Sequence, residues 1–229
     1  MLGMYTSHMT GQTARIGDEI AQGRWSGGIN ASGCVAVFVA GAAISTALIN
    51  RANRLYRARY VGPLMLETLA LATYTALTRS ASQDASFSLS ALLCFSMGLQ
   101  NAMVTRISGA VIRTTHVTGM MTDIGIESVR LVEWVSQEFR RRAAFETLGI
   151  LRLFFAAPEW KKLRLHLSIC AAFLTGALVG PELFLHLGPL AMLIPCAVLL
   201  SLACFDYLFG IRSGVAAAAG RANEIPSVV

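Results

Sequence analysis

Threonine, histidine and glycine recur in this chain in a pattern that could do chemistry. Residues 6–19 read Thr-Ser-His-Met-Thr-Gly-Gln-Thr-Ala-Arg-Ile-Gly-Asp-Glu, and residues 114–127 read Thr-Thr-His-Val-Thr-Gly-Met-Met-Thr-Asp-Ile-Gly-Ile-Glu. The two align without gaps at seven identical positions of fourteen, where ordinary residue frequencies give about one. In Thr-x-His-x-Thr-Gly the two threonines are four apart and share a helical face, while glycine permits a chain break or a close backbone approach. His8 and His116 could carry a proton, bind an anion when charged, or ligate a metal or tetrapyrrole. The competing reading is structural: each His and Thr ties a broken helix to its neighbours by hydrogen bonds.

Glu67, Gln100, Asn101 and Asp206 lie in or near otherwise apolar stretches. An acid placed inside a membrane costs about 2.5–3.5 kcal/mol on insertion scales, so it is kept for function or for pairing. Glu67 is the strongest single candidate, with Arg106 and Arg113 as alternative pairing partners. Asp206 is close enough to the span end to be solvated. Together these residues define a candidate polar pathway lined by Ser7, His8, Thr10, Gly11, Glu67, Asn101, His116, Thr118 and Gly119.

The elements that must position these groups follow from composition. Of 229 residues, 55% are hydrophobic and 14% charged, against about 25% charged in a soluble domain. That excludes an ordinary soluble enzyme and a disordered chain, and it points to an all-α integral membrane protein. Charge-poor spans are expected at 31–50, 62–78, 87–104, 165–180 and 187–209. Pro181 is expected to end the fourth span, in which Gly176 and Gly180 stand at a spacing that allows close helix approach. Residues 1–16 are too short and polar for a signal peptide.

Arginines cluster at positions 51, 54, 57 and 59, and again between 130 and 164, as expected of cytoplasmic loops in a multi-pass inner-membrane protein. These basic loops face the lipid bilayer and its anionic headgroups, and no nucleic-acid motif accompanies them. Residues 126–148 place Ile126, Val129, Val132, Val135 and Phe139 along one helical face, which describes an interfacial amphipathic helix, with docking of a partner as the alternative. The five cysteines sit in apolar stretches without metal-ligand spacing and are expected to be buried. No cofactor is implied.

Each motif copy precedes two spans, so the chain reads as a duplicated unit, with repeat one at 1–83 and repeat two at 84–229. The span at 87–104 has no counterpart before the first copy. The first helix of repeat one is therefore expected to be missing, either because the start is assigned at an internal Met or because the chain is shortened relative to its ancestor. A duplicated three-helix unit inverts across the membrane, which brings the two broken or re-entrant motif segments in from opposite faces, as in secondary transporters.

Ser-His-Met-Thr-Gly at 7–11, Gly-Leu-Gln-Asn-Ala at 98–102 and the segment 114–125 resemble the signature segments of the YoaK-like family of bacterial inner-membrane proteins, a domain of unknown function. The resemblance implies six spans in two related halves, with a first helix carrying a Gly-x-x-Asp element that is absent here. It implies no substrate, cofactor or catalytic residue. The function expected is a small transporter or channel for a solute or ion. The alternative is a non-catalytic accessory subunit, in a homo-oligomer or a larger membrane complex. No nucleophile–base pair, metalloprotease motif or phosphate loop points to an enzyme.

Overall fold

The computed structural model describes residues 8–55, 58–80, 86–107, 117–141, 154–155 and 157–210. Ser7, His116 and residues 142–148 of the expected amphipathic helix lie outside them. The elements are α1 (Met9–Ala21), α2 (Trp25–Leu55), α3 (Val61–Ser80), α4 (Ser86–Ile107), α5 (Val117–Arg141), α6 (Pro158–Leu187), a 3-10 turn (Gly188–Met192) and α7 (Leu193–Phe209). No strand occurs among the described residues.

Among the described residues, three helical stretches are long and apolar enough to cross a membrane: Trp25–Ala52, Phe87–Ile107 and Glu159–Phe209; the expected span at 62–78 forms α3 but is not one of them. The last of the three runs for 51 residues, about 76 Å at 1.5 Å per residue, which is room for two crossings of a hydrocarbon core about 30 Å thick. Its break is not at Pro181. That residue lies inside α6, and the chain turns instead at Gly188, whose φ is +58°. Proline removes one backbone donor and crowds one carbonyl, which a long apolar helix survives. A left-handed residue ends the helix outright, and only glycine takes that conformation cheaply.

The chain forms two compact units, Met1–Thr115 with Leu183–Val229, and His116–Glu182. The first unit holds α1–α4 and α7. Its core joins Ile49 of α2, Tyr60 before α3, Leu64 and Leu71 of α3, Met103 of α4, and Cys196, Leu199 and Ala203 of α7. Pro63 sits in the first turn of α3, where the missing N–H has no helical partner to lose. The free N–H groups of Tyr60 and Val61 donate to Asp206 Oδ2 at 2.7 and 3.1 Å. Asp206 is fully buried, which corrects the expectation of a solvated side chain. An acid at a helix N-terminus satisfies orphan donors and meets the positive end of the dipole, so burial there is compensated.

The tightest packing in this unit is between α2 and α4. A Cβ added at Gly41 would overlap the Phe95 carbonyl oxygen, and one at Gly98 would overlap that of Phe38. The two backbones touch through these glycines, as small residues permit in membranes. Buried around them are Cys34 and Ser45 of α2 and Ser90 and Cys94 of α4. Toward the C-terminal ends of the two helices, Arg106 Nη2 donates to Asn50 Oδ1 at 2.8 Å.

The second unit holds α5 and α6 as far as Glu182. The amphipathic helix begins at Val117, nine residues before the expected start, because the second motif copy forms its opening turn. Thr118 and Gly119 therefore lie in this helix and not in a separate broken segment. Met121, Ile126, Val129, Val132 and Phe139 are exposed, and Val135 is half-buried. Four cysteines are buried as expected, whereas Cys204 faces outward on α7.

Candidate functional site

The motif's first copy builds a helix start. His8 is the N-cap of α1, and its Nδ1 accepts the Gly11 N–H at 3.1 Å. One of the orphan donors of the first turn is thereby satisfied by an imidazole. The geometry explains the glycine, since a Cβ at Gly11 would overlap His8 Nδ1. Thr10 is exposed, and Thr13 Oγ1 donates back to the Met9 carbonyl at 3.0 Å.

The second copy starts its helix at the aligned residue. Val117 opens α5 where Met9 opens α1, and the two positions correspond in the gapless alignment. The packed faces also correspond. Gln12 and its counterpart Met120 are 4% and 5% exposed, and Ile16 and Ile124 are both half-buried. Thr118 is exposed and Gly119 half-buried, matching Thr10 and Gly11.

The motif's last residue is an acid that anchors each helix. Glu19 accepts from Arg24 Nε at 2.7 Å and from Arg15 Nε at 3.3 Å, closing the corner between α1 and α2. The Arg24 hydrogen bond holds the Glu19 carboxyl below its ordinary value, and Glu19 in turn raises Arg24. Glu127 instead meets a residue of α6: His166 Nδ1 donates to its Oε2 at 2.9 Å, with both side chains 10% exposed.

Glu67 stands apart from the motif. It lies on α3, is 3% exposed, and its Oε2 has no hydrogen-bond partner. Arg106, one expected partner, is engaged with Asn50, and Arg113 lies outside the described residues. Cys196 of α7 faces this part of α3, its Sγ lying 3.9 Å from the Thr68 carbonyl. Gln12 Oε1 on α1 and Ser45 Oγ on α2 are further buried oxygens of the same unit without a hydrogen-bond partner. Asn101, half-buried on α4, donates its Nδ2 to the Met97 carbonyl at 3.0 Å.

The candidate residues thus do not gather at one place: Thr118 and Gly119 lie on α5 of the second unit, and those of the first unit are spread over several helices. His8, Thr10 and Gly11 belong to α1, which packs on α2, while Glu67 belongs to α3, which packs on α2, α4 and α7. No group of three His, Cys, Asp or Glu side chains able to hold a metal occurs among the described residues. Two features went unread in the sequence. The His-x-x-Gly spacing is a capping signal, with the cap and its third helical residue in place. Ser90, Cys94 and Gly98 recur every fourth residue, which marks the ridge that meets α2.

No curated protein and no solved structure matches the chain. The family described as Protein of unknown function (DUF1275) matches residues 1–205. That span takes in both motif copies and every helix of the first half, and the chain belongs to this family.

Proposed function

We propose that this chain is a small multi-pass transporter or channel of the bacterial inner membrane, passing a small solute or ion along a polar path that includes Glu67 and Asn101. The reading extends the likeness to YoaK-like membrane proteins and takes the two halves as an inverted repeat, whose polar sites gather near the midplane. The observation that carries it is the buried Glu67 carboxylate with an unpartnered oxygen. A buried charge without a counter-charge is expensive, so such a group exchanges a proton or a cation. His8 serves the path indirectly, by setting where its motif helix begins.

Flux into liposomes reconstituted with the full chain tests this. Glu67→Gln is expected to lower flux at least tenfold while the protein remains folded, and Asn101→Ala to lower it less. Unchanged flux in both variants would overturn the reading. The second reading is a non-catalytic subunit packed against a larger membrane complex. It is favoured by α6, whose residues 171–180 are all exposed. Stoichiometric co-purification of a partner in mild detergent, together with absence of flux, would support it.

A further inference from the structure

Three acids are buried among the described residues: Glu67, Glu127 and Asp206. Two of them are compensated. Asp206 accepts the Tyr60 and Val61 N–H groups at the start of α3, and Glu127 meets His166 of α6. Glu67 has no such help, since it is 3% exposed and its Oε2 has no partner. An ionised carboxylate is tolerated in an apolar interior when donors or a counter-charge meet it, and otherwise it neutralises by taking up a proton.

The surroundings of Glu67 follow from its place on α3. Leu64 and Leu71 stand three residues before it and four after, so all three share one face of the helix. That face belongs to the core of the first unit, where Leu64 and Leu71 pack with Cys196, Leu199 and Ala203 of α7. The neighbouring Thr68 hydroxyl already donates to the Leu64 carbonyl at 2.8 Å. Among the described residues no charged group of α2, α4 or α7 acts on Glu67, and the titratable group that faces it is the Cys196 thiol. Arg106 of α4 is engaged with Asn50, and Asp206 of α7 with the start of α3. A hard metal cation asks for about six oxygen ligands, and this setting of leucine and thiol offers one carboxyl group. A proton asks for a single oxygen.

We propose that the ion bound at this site is a proton: Glu67 stands between α3 and α7 as a neutral carboxyl group, exchanges its proton with the solvent, and does not hold a metal cation. The proposal deepens the reading of Glu67 as the group that exchanges an ion, and it rests on that part of the reading.

Dicyclohexylcarbodiimide, an apolar reagent, serves as the probe on the full chain in lipid nanodiscs. It adds to a neutral carboxyl group, whose proton passes to a carbodiimide nitrogen, and the O-acyl adduct rearranges to a stable N-acylurea that mass spectrometry locates. An ordinary glutamate, titrating near 4.3, is neutral in only about one molecule in 500 at pH 7. Glu67 is therefore expected to label about a hundredfold faster than Glu133, which is exposed on α5, and than the compensated Asp206. Its rate is expected to fall about tenfold as the pH is raised from 6 to 9, and to stay the same when sodium, potassium or magnesium chloride replaces choline chloride. Labelling no faster than at Glu133, or tenfold protection by any of these metal cations, would overturn the proposal. The transport reading is decided separately by the flux of Glu67→Gln: lost flux with labelling that sodium blocks would keep transport and remove the proton, whereas the expected labelling with unchanged flux would keep the proton site and remove transport.

Discussion

The first half of the chain and the second begin alike and finish differently. Each opens with a motif helix whose start, packed face and terminal acid occupy aligned positions, and each adds a long apolar helix with a ridge of small residues four apart, Gly41 and Ser45 in α2 and Gly176 and Gly180 in α6. In the first half the acid is held by arginines at a solvent-facing corner, and the ridge of α2 is closed by α4. In the second half the acid is held by a buried histidine, and nothing in its own unit meets Gly176 of α6. Duplication therefore preserves the local rules, capping and amphipathic packing, because they are encoded within a few residues. What closes a ridge is encoded elsewhere in the chain and need not be copied.

The sharpest way to break this comparison is to enlarge both ridges equally. Gly41→Leu drives a side chain into the Phe95 carbonyl, and overpacking of this kind costs about 3 kcal/mol. Gly176→Leu meets no neighbour in its own unit and is expected to change stability by less than about 0.5 kcal/mol. Denaturant-induced unfolding of the two variants in micelles reads the difference directly. Equal effects would mean that the ridges are equivalent in the isolated chain.

The buried tie of the second half comes next. His166→Ala leaves Glu127 buried without its donor, and loss of a charge-assisted hydrogen bond costs about 2 kcal/mol. Because α5 meets α6 through this pair, the cost is expected to appear as proteolytic opening of residues 117–141. A double-mutant cycle with Glu127→Ala would return a coupling near zero if the contact did not stabilise the unit.

How much of this was legible depended on the distance between cause and effect along the chain. Hydropathy located the spans of α2 and α4 to within several residues, because a membrane span is a local property, whereas α3, expected to span at 62–78, forms a helix there without the apolar length of a span. Glu67 was legible for the same reason, as an acid in an apolar run. The role of Asp206 was not, since its partners Tyr60 and Val61 lie 146 and 145 residues away. Pro181 misled, because a proline weakens a helix by one hydrogen bond, whereas Gly188 with its positive φ ends it. His8 carried a readable signal that was given the wrong meaning. A histidine three residues before a glycine fits an N-cap as well as a ligand, and only the Nδ1 geometry separates the two.

The smallest effects sharpen the comparison at the motif itself. Gly11→Ala places a methyl group on the His8 ring and should cost about 1 kcal/mol through loss of the cap. Gly119→Ala should match it if His116 caps α5 in the same way, which amide exchange in the first turns of α1 and α5 would show. Acid then distinguishes the corners. Glu19 has its folded value lowered from 4.5, chiefly by the Arg24 hydrogen bond. Its contribution is therefore fully present above the unfolded value and is lost as pH falls through the lowered folded value. Protection of α1 amides is expected to decline in that window, and Arg24→Ala should remove the decline. The corner is solvent-facing, so added salt should shrink the effect as well. A decline that survived both treatments would place its origin outside the Glu19 corner, and the two halves would then differ in more than the partner of one acid.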